Sequence, residues 1–226
     1  SGAELLVDQV LVCAGRMSRT AELNPGAAGF GLSPRGHIPV DEHFRTTVPH
    51  IYAVGDVIGF PALASTSAEQ GRVAACHMFG SNAKEAVAKF LPAGIYTIPE
   101  VSAAGMTEPE AADKGIPIVV GLAEYSQNPR GKIIGEKFGF LKLVFDQRDM
   151  KLLGVHVIGE QASELVHIGL LALMAGGGAK LFLDTCFNYP TLGDLYKIAT
   201  HNALIRRTLQ SGAPPRTVQA QVTWRN

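Results

Sequence analysis

Cysteine is scarce in this sequence and never clustered. Cys13, Cys76 and Cys186 form no C-x-x-C pair and no zinc-ligand spacing. That excludes a disulfide framework and a thiolate metal knuckle, and predicts free thiols in a reducing cytoplasm. A surplus of one charge is also missing, since 20 Lys and Arg balance 20 Asp and Glu. A nucleic-acid-binding surface normally carries a basic excess, so a nucleic-acid partner is not expected. No stretch reaches the roughly 18 uninterrupted apolar residues of a membrane span. The longest, Leu165 to Ala175, contains His167 and runs into Gly176-Gly177-Gly178, so no membrane partner is expected either. No signal-peptide pattern stands at the N-terminus, and there is no initiating Met. The opening Ser1-Gly2-Ala3 suggests a processed or cut start.

What is present suits a packed core with many turns. Apolar residues make up 46% of the chain and charged ones 18%, with 25 Gly and 13 Pro. Val10-Leu11-Val12 predicts a short buried strand ending at Cys13-Ala14-Gly15, and residues 24–36 read as loop. Ile51-Tyr52-Ala53-Val54 predicts a second buried strand, stopped by Gly55-Asp56. A helix is expected over 63–79, capped by Ser65 or Thr66 and ended by Gly80.

The composition shifts at Phe90-Leu91-Pro92-Ala93-Gly94, the candidate boundary. Beyond it, 95–98 is strand-like. Thr107 opens a helix in which Pro109 sits early and Glu110 completes a capping box. Residues 116–126, 139–146 and 151–158 alternate as half-buried antiparallel strands, with Asp146 to Asp149 as the turn between the last two. Helices are expected over 160–175 and 192–209, and no structure from Ser211 onward. Strands followed by helices argue an α+β class for the second half.

The chemistry centres on Thr46 to Asp56, a strand leading into Gly55-Asp56. A glycine there lets a ligand approach the backbone. A carboxylate at a strand's C-terminal end can bond a ligand hydroxyl, though a tight turn with a solvated Asp fits the same residues. The following helix favours a site, because its N-terminus near Leu63-Ala64-Ser65 offers free N–H groups and a positive dipole end.

This segment resembles the second flavin-binding motif of the pyridine nucleotide–disulfide oxidoreductase family, Thr-x-x-x-x-Ile-Tyr-Ala-x-Gly-Asp before a helix aimed at the flavin. The resemblance implies that the Asp56 carboxylate bonds the ribityl hydroxyls of FAD. It places the Ala64 N–H at the pyrimidine edge, with Gly55, Leu63 and Ser65 around it. Val12-Cys13-Ala14-Gly15-Arg16 resembles the family's Ala-x-Gly-Arg, while Ser18-Arg19-Thr20 matches the usual Pro-Asn-Thr only in part. Ile95 to Val101, Gly105 to Glu108, Gly139 to Leu143 and Leu153 to Gly159 resemble the opening and central strands of its dimerisation domain. The matches run from about residue 9 to about residue 205.

Two departures refine the expectation. The family's disulfide reductases use a Cys-x4-Cys dithiol and a partner-subunit His-Pro-Thr-x-x-Glu. Here that motif reads Tyr189-Pro190-Thr191-Leu192-Gly193-Asp194, after Asn188. A phenol with a pKa of about 10 cannot replace an imidazole as a proton carrier at neutral pH, so Tyr189 is read as a buried interface aromatic rather than a catalytic group. Within the family the Asn-Tyr-Pro-Thr version and Pro61-Ala62-Leu63-Ala64-Ser65 resemble the soluble transhydrogenase branch, which passes hydride from NADPH to NAD through FAD without a dithiol. The second departure is that no G-x-G-x-x-G lies between a strand and a helix. Gly26-Ala27-Ala28-Gly29-Phe30-Gly31 sits in a Pro/Gly loop, so both dinucleotide fingerprints are expected upstream of residue 1.

The resemblance therefore implies an α+β dimerisation domain, with a central antiparallel sheet and flanking helices, plus an incomplete C-terminal segment of an FAD-binding domain. Its expected limits are 1–16 for the end of a nicotinamide-nucleotide domain and 17–91 for the FAD-domain segment. The dimerisation domain takes 92–210 and a flexible tail 211–226. It implies a cytoplasmic homodimer, and a chain inactive on its own. The alternatives are a fragment of a dihydrolipoamide dehydrogenase-like disulfide reductase and a stand-alone dimerisation module. Other candidates are weak. His37, His43 and His50 are too spread for one metal site and read as surface histidines. His156 and His167 read as core or interface residues. Ser65-Thr66-Ser67 lacks a nucleophile elbow, and Arg130, Lys132 and Lys137 form a solvated basic cluster in a glycine-rich loop. No metal is expected.

Overall fold

The structure, a computed structural model, describes residue 2 and residues 4–210. The tail expected from residue 211 lies outside them. Internal contacts divide the chain between Val87 and Ala88 into two units.

In the first unit the apolar run at 10–12 is not a strand. Val10, Leu11 and Val12 are all well exposed, and no described strand lies beside them. A strand is a property of a pair, because its backbone donors and acceptors need a neighbouring ladder. The segment 51–54 also falls short of the expected strand. Ala53 is buried, but pairing is limited to one antiparallel bridge between Tyr52 and Arg45, with Thr46 N–H donating to Ile51 and Ala53 N–H to Phe44. Residues 24–36 are turns and coil as expected. Gly55–Ile58 form a turn of 3-10 helix.

Helix α1 spans Ala64–Met78 and buries Thr66, Gln70, Val73 and Ala74, the i, i+4, i+7, i+8 stripe of a helix with one inward face. Its cap differs from the expectation. Leu63 is the N-cap, in extended conformation with no side-chain cap bond, and Thr66 lies buried inside the first turn. The end is as expected. Gly80 has φ +65°, Gly80 N–H donates to His77 and Ser81 N–H to Cys76, which is a Schellman closure.

The second unit is built on an antiparallel sheet. Its strands are β1 (Ala93–Ile95), β2 (Val101–Gly105), β3 (Ile118–Glu124), β4 (Phe140–Asp146) and β5 (Leu152–Ile158), in the order β1-β2-β5-β4-β3. The three alternating segments read from the sequence are β3, β4 and β5. Strand β1 ends earlier than expected and leaves Tyr96 and Ile98 exposed. The small-residue strand β2 was not legible from apolar alternation.

Six helices complete the described chain. After α1 come α2 (Glu108–Asp113), α3 (Pro129–Ile133), α4 (Ala162–Met174), α5 (Ala179–Asp184) and α6 (Leu195–Gln210). Helix α2 carries the expected capping box. Thr107 Oγ1 accepts from the Glu110 N–H, and Thr107 N–H donates to the Glu110 carboxylate at 2.8 Å. Helices α4 and α6 cover one sheet face, α4 against β5 and β2, α6 against β3 and β4. Leu141, Leu143 and Phe145 of β4 and Val155 and Val157 of β5 are fully buried beneath them, each such side chain contributing about 1.5–3 kcal/mol. Glycine sets the closest approach. A Cβ on Gly121 of β3 would lie 2.0 Å from the Ala199 carbonyl oxygen of α6, so only glycine lets that helix seat. The α+β class with a central antiparallel sheet and flanking helices is the class expected from the sequence. Among the described residues, no helix is long and apolar enough to cross a membrane.

Candidate functional site

The first unit brings together Gly55, Asp56 and the start of α1. Gly55 is buried with φ +81°, and a Cβ there would meet Ser67 Oγ of α1 at 3.1 Å. Its N–H donates to the buried Gln70 Oε1 at 2.7 Å, which pins the turn to the helix. The turn then carries Asp56 outward. The carboxylate is half-exposed and pairs with Arg16 Nη1 at 3.0 Å. Ser18 and His37 stand beside it, with Ser18 Oγ within 2.8 Å of His37 Nδ1 and donating to the Asp56 carbonyl at 3.5 Å.

The first turn of α1 is open. Ala64 and Ser65 are exposed and Leu63 is half-buried, and no side chain caps the helix start. Ser67 turns back to bond the Leu63 carbonyl. Uncapped N–H groups and the positive end of a 15-residue helix make a place for a partly negative ligand edge. A hydroxyl-accepting carboxylate, a backbone that excludes a Cβ and an open helix N-terminus together fit a flavin's ribityl chain and pyrimidine ring. Gly55, Asp56, Leu63, Ala64 and Ser65 were named from the sequence, whereas Arg16 as the Asp56 partner and Gln70 as the Gly55 anchor were not. Gln70 had a signal, since it is a long polar side chain at helical spacing from Val73 and Ala74 on the inward face of α1.

The second unit holds the Tyr-Pro-Thr loop. Tyr189 is 74% exposed rather than buried within the chain, and the bond to Pro190 is cis. Thr191 Oγ1 donates to the Asn188 carbonyl at 2.6 Å. Asp194 sits in the 3-10 turn Leu192–Asp194 that leads into α6. Tyr189 and Asp194 form no hydrogen bond to each other among the described residues, unlike the imidazole–carboxylate couple the motif's reductase version would make. The loop borders a cleft of about 520 Å³ that also contains Arg130, Glu164, Ile168 and Phe187.

One fully buried side chain holds this loop. Asn128 Oδ1 accepts the N–H groups of Arg130 and Gly131, capping α3, and Asn128 Nδ2 donates to the Thr191 carbonyl at 3.2 Å. The Asn-Pro pair at 128–129 is a helix-start signature and could have revealed α3, though not the bond to Thr191. Arg130 and Lys132, expected in a loop, are on α3 and exposed.

Four other histidines can be placed. His43 stacks on His77 with ring centroids 4.3 Å apart, and Tyr52 Oη lies 2.7 Å from His77 Nδ1. His156 is half-buried with Nε2 at 3.1 Å from the Met106 carbonyl, and burial pushes its pKa down. His167 is exposed on α4. Among the described residues, no group of His, Cys, Asp and Glu is arranged to hold a metal ion.

Comparison with known proteins follows the same division. Residues 91–200 match the pyridine nucleotide-disulphide oxidoreductase dimerisation domain, and residues 1–71 match the pyridine nucleotide-disulphide oxidoreductase model. A soluble pyridine nucleotide transhydrogenase of Mycobacterium tuberculosis is 48% identical over 199 residues, which is 88% of this chain and 42% of that protein. One from a Marinomonas strain is 42% identical over 209 residues, 91% of this chain and 45% of that protein. Among solved structures, the HOCl-induced flavoprotein disulfide reductase RclA of Escherichia coli superposes with a TM-score of 0.83 at 28% identity. It covers 88% of this chain and 46% of that one. The chain thus spans less than half the length of these relatives.

Proposed function

The chain belongs to the pyridine nucleotide–disulphide oxidoreductase family, and on that footing we propose that it supplies the flavin-facing and dimerisation parts of a transhydrogenase. Such an enzyme takes hydride from NADPH and gives it to NAD, with bound FAD supplying the two-electron relay. The observation that carries the reading is the loop Asn188 to Asp194, which offers an exposed phenol and, among the described residues, no bond between Tyr189 and Asp194, where a dithiol chemistry needs an oriented imidazole. Transfer between nicotinamides through a flavin needs no thiolate and no proton shuttle at that point. The names of the two relatives agree with it.

In this reading the chain's own residues bind and orient. Asp56 accepts the ribityl hydroxyls, exchanging part of its pairing with Arg16 for them. Ala64 and Ser65 direct their N–H groups to the pyrimidine edge, Leu63 packs beside it, and Gly55 keeps that approach free of a side chain. Tyr189, Pro190, Thr191 and Asp194 close the site of the partner subunit in a homodimer. That assembly is supported by large exposed apolar side chains on the second unit, among them Phe138, Leu171, Tyr189, Ile205 and Leu209. The 226 residues hold no dinucleotide fingerprint, so by themselves they are proposed to be without turnover.

The test is thio-NAD⁺ reduction by NADPH, measured on the intact flavoprotein before and after alkylation with iodoacetamide. Activity that survives alkylation is expected. Loss of activity on alkylation, together with NADH-dependent reduction of a small disulfide, would replace this reading by disulfide reduction, the activity for which the reductase RclA is named.

A further inference from the structure

A second cleft, of about 720 Å³, opens in the second unit where β2 and β5 meet the end of α4. Its floor is the core itself. Leu152 and Leu173 both line it and both belong to the buried cluster, at 3% and 4% exposure. Met106 and Phe90 extend the apolar wall. Gly105, with φ +81°, forms the corner, and a Cβ there would collide with the Leu153 carbonyl at 2.4 Å. The cleft's size lies within the range of small-molecule sites.

The rim carries three ammonium groups and one carboxylate. Lys89, Lys114 and Lys151 line it, and none of the three is in a salt bridge among the described residues. Lys89 Nζ sits 5.5 Å from the centroid of the Phe90 ring, its charge held at the edge of the apolar wall. Lys151 Nζ lies beside the turn that follows α4, 3.9 Å from the place a Gly176 Cβ would take. The one lining carboxylate, Glu110, is already engaged in the capping box of α2, where it accepts from Thr107 N–H and Oγ1. Three ammonium groups outside those salt bridges, around an apolar floor, are complementary to a ligand with an anionic head and an apolar body.

We propose that this cleft binds an amphipathic organic carboxylate, its apolar chain against Leu152, Leu173 and Met106 and its carboxylate among Lys89, Lys114 and Lys151. The binding does not depend on the transhydrogenase reading.

Calorimetric titration of the intact protein with dodecanoate tests it, with dodecylammonium as the cationic counterpart and a Lys114→Glu/Lys151→Glu variant as the altered site. Both lysines are exposed, so thermal unfolding of the variant serves as the control for folding. The expected result is saturable binding of one dodecanoate per chain, weakened about tenfold or more by the double reversal and by raised salt, with no competition from dodecylammonium. Equal binding of the ammonium amphiphile, an affinity unchanged in the variant, or no saturation below about 1 mM, near the weak end of specific affinities, would overturn it.

Discussion

At the scale of single residues, the candidate site depends on side chains whose partners lie far off in sequence. Asn128 bonds two N–H groups of α3 and the Thr191 carbonyl. Truncation to alanine leaves these groups without partners in a buried setting. Asn128→Ala is expected to lower stability by about 2 kcal/mol in urea unfolding, and to free the Tyr-Pro-Thr loop for proteolysis before global unfolding. Asp56 is the corresponding residue in the first unit. Replacing Asp56 by alanine removes a charged acceptor, and FAD affinity of the intact flavoprotein is expected to fall about tenfold to a hundredfold by fluorescence titration. An unchanged affinity would remove Asp56 from the ribityl contact. Gly55, Asp56 and the helix start were legible because a short motif holds them together. Arg16 was not, because a guanidinium 40 residues away becomes a neighbour only through the fold.

At the scale of elements, what was read correctly is what local pattern determines. The capping box of α2, the Schellman end of α1 and the strands β3, β4 and β5 each follow from residues within one or two turns, or from alternation along one strand. The turn between β4 and β5 adds a charge device. Asp146 accepts from the Arg148 N–H and from Nε and Nη2 of its guanidinium, and these bonds hold its pKa down at about 2. A carboxyl depressed in the folded state stabilises fully above the pH where an ordinary aspartate titrates. It loses that contribution as pH falls toward its folded value. Between about pH 4 and pH 2 the wild type should therefore lose stability more steeply than Asp146→Asn, measured by urea midpoints across that window. Parallel slopes would show that this carboxylate is not coupled to folding. Elements missed from sequence share a cause. Strand β2 is built of small residues, and α3 and α5 have five and six residues, too short to hold without tertiary support. The runs at 10–12 and 51–54 failed the opposite way, being apolar enough for strands yet lacking a ladder to join.

At the scale of the whole molecule, each unit has its own internal contacts, and the second holds the large buried cluster. Its exposed apolar side chains on α4, α6 and the Tyr189 loop are the surface proposed above to meet a second copy. Purified alone, the 226-residue chain is expected to sediment as a dimer at micromolar concentration and to be colourless after incubation with FAD and desalting. A monomer would count against the interface, and a yellow protein against the need for a dinucleotide fingerprint that these residues lack.

The sequence by itself determined the class, the antiparallel strands β3, β4 and β5, the capping box of α2 and the Schellman end of α1, because periodicity, capping and turn chemistry act over a few neighbours. Tertiary structure alone decided which apolar runs become strands, since a ladder needs a partner, and how Asp56 and Thr191 are held, since Arg16 and Asn128 reach them across the fold. It also decided that a few lysines should ring an apolar floor. No count of charges on a neutral chain could have placed them there, because the balance of 20 against 20 says nothing about where folding gathers each sign.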